Sequence, residues 1–63
     1  MGIREAREAK GYSQHELAKL VHVKQPSVAQ WEAGTKTPRV EKLLRLSVIL
    51  DCSVDQLLDR NGA

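Results

Sequence analysis

The 63-residue sequence predicts an all-α fold of five short helices in one domain, spanning residues 1–63, and three observations carry that prediction. Helix start signals recur ahead of apolar-periodic stretches, at Ser13, at Thr37-Pro38 and at Ser53. Gly11 and Gly34 stand where the first and third periodic stretches end. No segment alternates apolar and polar side chains convincingly enough to be a strand.

The first helix is expected from about Gly2 to Lys10, stopping at Gly11, which accepts the left-handed backbone of a helix end. Ser13 opens the second. Glu16, three residues on, completes a capping box, and Leu17, Ala18 and Val21 form the buried stripe. The third helix covers roughly Gln25 to Ala33 and ends at Gly34. Thr37 then reads as an N-cap with Pro38 at the first helical position, starting a fourth helix that runs to about Leu50. Ser53 and Gln56 repeat the capping box for a short fifth helix carrying Val54, Leu57 and Leu58.

This length lies near the lower limit at which one core folds without metal or disulfide. The aromatic side chains are Tyr12 and Trp31, so Leu, Val, Ile and Ala must supply the core. A single cysteine, Cys52, has no internal partner, which suits a reducing cytoplasm. No Cys/His spacing suggests a metal site and no motif calls for a cofactor. No apolar run reaches the length of a membrane span, and no signal-peptide pattern opens the chain.

The net charge is +2, unevenly spread. Between Lys10 and Arg45 seven bases face three acids, whereas from Leu46 onward three aspartates face one arginine. A basic middle with an acidic tail suits a protein that offers one face to phosphate. A solvated surface with no partner accounts for it equally well.

Helix periodicity sharpens that choice. At about 100° per residue, Gln25, Pro26, Ala29, Gln30 and Ala33 share one side of the third helix, and Ser27, Val28 and Trp31 share another. The second side is an apolar anchor built on Val28 and Trp31. The first is short, uncharged and set with two glutamines. Glutamine amides can pair with N6 and N7 of adenine, and an alanine methyl can touch that of thymine. A merely solvated helix usually carries Lys or Glu on such a face. Here the bases sit at its borders instead, Lys24 before it and Lys36 and Arg39 after it.

Taken together, SQHELA, then VHVKQPSVAQWEAG, then TP, resembles the phage repressor/Cro-like helix-turn-helix family (XRE type). The resemblance runs from about Ile3 to Leu58, with Pro38 and the Leu43, Leu46, Leu50 pattern included. It implies a five-helix, lambda-repressor-like DNA-binding domain with its helix-turn-helix at about residues 14–33. It also implies a cytoplasmic, bacterial or phage-encoded regulator that binds double-stranded DNA, commonly a palindromic operator, as a homodimer. By this resemblance Gln25, Pro26, Ala29 and Gln30 fall at or between the base-reading positions. Gln14 matches a glutamine that holds a DNA phosphate at a helix N-terminus. Lys36 and Arg39 fall where the family grips the backbone, Lys24 is added as a phosphate contact from its place at the border of the face, and Arg7 and Glu32 match a family ion pair.

The chain departs from the family pattern twice. His22 occupies a turn position that is usually glycine, where a left-handed histidine costs on the order of 1 kcal/mol. Pro26 stands at a base-reading position without a side-chain hydrogen bond to offer. It also pushes Gln25 toward extended backbone, so that Gln25 is either the cap or the first residue of its helix.

The other notable residues have plainer roles. Trp31 reads as core packing, Tyr12 as a partly buried lid, His15 as exposed and Cys52 as a small buried hydrophobe. The fourth helix is apolar around most of its circumference, which suits a central helix packed on all the others. Any surplus among Leu44, Val48 and Leu58 is available for a dimer contact. The ending from Asp59 to Ala63 fits either a native terminus or the start of a linker.

Two function classes therefore stand. The first is a sequence-specific DNA-binding transcriptional regulator, a repressor, that inserts the third helix into the major groove. The second is a protein-interaction or antitoxin-like module on the same fold, since one fold hosts several functions. An enzyme is disfavoured, because no triad, carboxylate pair or phosphate loop is discernible.

Overall fold

The computed structural model describes residues 2–58, and all five helices are present there. They are α1 (Ile3–Ala9), α2 (Gln14–Val21), α3 (Gln25–Ala33), α4 (Val40–Ile49) and α5 (Val54–Leu57). The sole extended pairing among the described residues is an isolated antiparallel bridge between Gly2 and Leu58, which ties the two ends together. The ending from Asp59 to Ala63 lies outside the described residues.

Local chemistry sets the boundaries of α2. The Ser13 hydroxyl accepts from the Glu16 N–H at 3.0 Å, and the Glu16 carboxylate accepts from the Ser13 N–H at 2.8 Å. That backbone hydrogen bond holds the Glu16 carboxyl below its ordinary pKa. At the other end His22 adopts φ 60°, ψ 47°, and the next N–H, that of Val23, reaches back to the Ala18 carbonyl at 2.9 Å. Two further carbonyls of this terminus are capped from α4: Lys42 Nζ donates to Val21 at 3.0 Å and Arg45 Nε to Leu20 at 3.0 Å. Free carbonyls at a helix C-terminus carry partial negative charge, so cations are the fitting donors.

The core is aliphatic. Leu17, Val21, Val28 and Leu46 are fully buried, with Ile3, Ala6, Ala18, Leu50 and Leu57 closing around them. Tyr12, Val23, Trp31, Ile49 and Cys52 pack against this cluster while partly exposed, so Cys52 is half-buried rather than buried. Burial pushes its thiol pKa up.

Two expectations are corrected, and one alternative left open by the sequence is decided. First, α4 begins at Val40 with Arg39 as its N-cap, and Pro38 lies outside the helix. Arg39 is extended at ψ 161° and Pro38 is buried, so the proline serves as an apolar plug ahead of the helix. Second, α4 is not covered around its apolar circumference. Its principal contacts go to α2 and α5, and Val40, Leu44 and Val48 remain 72%, 56% and 79% exposed. The open alternative concerns α3, which runs from Gln25 to Ala33 as expected: its cap is Lys24, at φ −85°, ψ 151°, and Gln25 is already helical with Pro26 in the first turn. The extended residue thus falls one place earlier than proline alone would put it.

Candidate nucleic-acid interface

Helices α2 and α3 meet through the left-handed turn at His22, and their facing apolar residues, Leu17, Ala18, Val21 and Val28, anchor both in the core. With Val28 fully buried and Trp31 half-buried, the helix turns Pro26 and Gln30 to solvent, while Gln25 and Ala29 are partly covered. The uncharged face of α3 is therefore outward.

Its borders are basic. Lys24 is exposed at the α3 N-terminus. Gly34, at φ 80°, ends the helix, and the Thr35 and Lys36 N–H groups fold back to the Gln30 carbonyl at 3.0 and 3.3 Å. That wrap brings the exposed Lys36 close behind Gln30, followed by the exposed Arg39 at the start of α4. By contrast Lys42 and Arg45 are engaged on the α2 carbonyls, so not every base of the central segment is offered to a partner.

A continuous chain of hydrogen bonds runs beneath this face. Arg7 from α1 grips Glu32 of α3 in two-pronged fashion, Nε to Oε2 at 2.6 Å and Nη2 to Oε1 at 3.1 Å. Its Nη1 donates to the Tyr12 carbonyl at 2.8 Å. Gln14 Nε2 donates to Glu32 Oε1 at 3.0 Å, and Gln25 Nε2 donates to Gln14 Oε1 at 2.8 Å. The side chains of Arg7 and Glu32 are only 12% and 5% exposed. Bonding to Glu32 raises the Arg7 pKa despite that burial.

The structure thus places Arg7, Glu32, Gln14 and Gln25 in one connected group. Pro26, Ala29 and Gln30 lie on the same helix beyond it, with Lys24 at its N-cap, Lys36 folded back on the Gln30 carbonyl through its N–H, and Arg39 at the N-cap of α4. Sequence spacing gave no sign that Gln14 touches Gln25 or Glu32, because these residues meet only once α2 packs across α3. The capping roles of Lys42 and Arg45 were equally hidden, since a base on a polar helix strip looks the same whether solvated or bonded.

A family model described as helix-turn-helix matches residues 3–57, which is nearly all of the described chain. The chain belongs to the helix-turn-helix family. Among solved structures, this helix-turn-helix chain is similar to the DNA-binding domain of the c2 repressor of Salmonella phage P22, at 38% identity and TM-score 0.81, covering 97% of this chain and 80% of that one. It is also similar to the biofilm regulator SinR solved in complex with DNA, at 38% identity and TM-score 0.79, covering 90% and 92%. A curated relative is the transcriptional regulator DicA of Escherichia coli, 38% identical over 56 residues, 89% of this chain and 42% of that protein. The chain spans less than half the length of each curated relative it matches.

Proposed function

We propose that this helix-turn-helix domain binds double-stranded DNA as a sequence-specific transcriptional regulator, acting in the cytoplasm as a repressor and not as an enzyme. The observation that carries the reading is the outward face of α3. Gln25, Pro26, Ala29 and Gln30 form an uncharged strip bordered by Lys24, Lys36 and Arg39. In the major groove such a strip meets base edges, and its basic borders meet the phosphates on either side. Gln14, at the first turn of α2, joins the phosphate contacts through its backbone N–H, where helix termini favour anions. The regulators and repressors among its relatives, and the DNA-bound SinR, support the same reading.

A helix this short reads only a few base pairs, so a palindromic operator and a second copy of the chain complete the site. The apolar residues left open on α4, Val40, Leu44 and Val48, favour self-association. Pairing is expected at least on DNA, where two half-sites hold two copies in register. The test is selection of bound duplexes from a random pool at near-physiological salt. A two-fold-symmetric motif is the expected result. Weak, salt-sensitive binding without enrichment would overturn the reading in favour of a protein-interaction module using the same faces.

A further inference from the structure

We propose that Glu32 is a positioning residue for base selection, fixing through Gln14 which edge of the Gln25 amide is offered to DNA. The proposal rests on the DNA-binding reading above and adds to it a reason for one base preference.

The argument follows the direction of each hydrogen bond. Arg7 has only donors, and both Glu32 oxygens accept from it. The remaining capacity at Glu32 Oε1 is again that of an acceptor, so Gln14 must turn its Nε2 toward Glu32, at 3.0 Å. Its Oε1 then points the other way and can only accept. Gln25 answers with Nε2 at 2.8 Å. One N–H of Gln25 is thereby used, and its Oε1 and second N–H remain for a partner. An acceptor beside a donor matches N6 and N7 of adenine. Were the Gln14 amide reversed, Gln25 would turn its Oε1 inward and offer N–H donors outward, which suit N7 and O6 of guanine. Glu32, at 5% side-chain exposure, holds the sense of the chain where water competes little. The Arg7–Glu32 pair therefore does more than join α1 to α3. It gives polarity to a relay that ends at a base.

The test compares the intact chain with two variants in the same random-duplex selection. Glu32→Gln is nearly isosteric, but its amide can donate as well as accept, so the sense of the relay is no longer imposed. Gln14→Met leaves the Arg7–Glu32 pair in place and breaks the relay one step later. The intact chain should favour adenine over guanine at one position of each half-site by roughly tenfold or more, in keeping with one two-pronged contact. Both variants should lose most of that preference at that position alone, keeping their preferences elsewhere. Gln14→Met tests the point even if Glu32→Gln fails to fold. A folded Glu32→Gln that reproduces the intact motif unchanged would overturn the role of Glu32, and Gln14→Met reproducing it unchanged would overturn the relay through which Glu32 acts. Absence of any motif from the intact chain would overturn the DNA-binding reading beneath it.

Discussion

Replacing Arg7 by alanine removes three hydrogen bonds and a buried charge at once. The guanidinium makes two hydrogen bonds to Glu32, at 2.6 and 3.1 Å, a third to the Tyr12 carbonyl at 2.8 Å, and carries the compensating charge. After the substitution Glu32, whose side chain is 5% exposed, keeps only the Gln14 amide as a partner. Removing one member of a buried pair costs about 3–5 kcal/mol. The lower end applies here, because Arg7 sits at the rim with 12% of its side chain exposed. A domain this short has a total stability of roughly 3–9 kcal/mol, so about 3 kcal/mol is a large share of it. At about 4–8 °C per kcal/mol for chains of this size, Tm should fall by more than about 10 °C. Thermal melts followed by far-ultraviolet circular dichroism measure it. Adding Glu32→Ala to Arg7→Ala should recover part of the loss, because no charge is then stranded. A fall in Tm of less than about 4 °C, the equivalent of at most about 1 kcal/mol, would refute the reasoning.

Three other outcomes follow from the same geometry. Gln30→Ala should cost roughly 1–3 kcal/mol on the selected site and relax one base position, read by competition binding with single-base variants. Lys36→Ala should weaken all duplexes about equally and reduce the slope of log affinity against log salt by about one unit, read by salt titration. The capping box makes stability acid-sensitive. Because the Glu16 pKa is lowered in the folded chain, its contribution is fully present above the unfolded value, near 4.5, and is lost as pH falls through the folded value. Glu16→Gln should therefore show a shallower loss of Tm between pH 5 and about pH 3, and equal slopes in the two proteins would contradict the assignment.

The parts of the fold legible in the sequence are those governed by short-range chemistry. Ser13 with Glu16 and Ser53 with Gln56 form the boxes that their spacing announces, and His22 takes the left-handed turn expected of it. Thr37-Pro38 misled because proline suits both a first helical turn and an extended plug, and burial decides between them. Burial depends on Pro38 meeting a core assembled from distant parts of the chain. The open stripe on α4 was only partly visible: Leu44 and Val48 stood out as surplus, whereas Val40, 72% exposed, was not singled out. The uncharged face of α3 could be read from periodicity alone. The relay beneath it could not, because hydrogen bonds between residues 11 to 25 positions apart depend on how helices cross.

The central claim is that DNA lies along α3, and titrating nitrogen-15-labelled protein with a selected duplex tests it most directly. Amide shifts should concentrate on Gln14, on Lys24 to Gln30 and on Lys36 to Arg39, with the Gln25 and Gln30 side-chain amides moving as well. Shifts confined to the α4 residues Val40, Leu44 and Val48, with α3 silent, would contradict the claim.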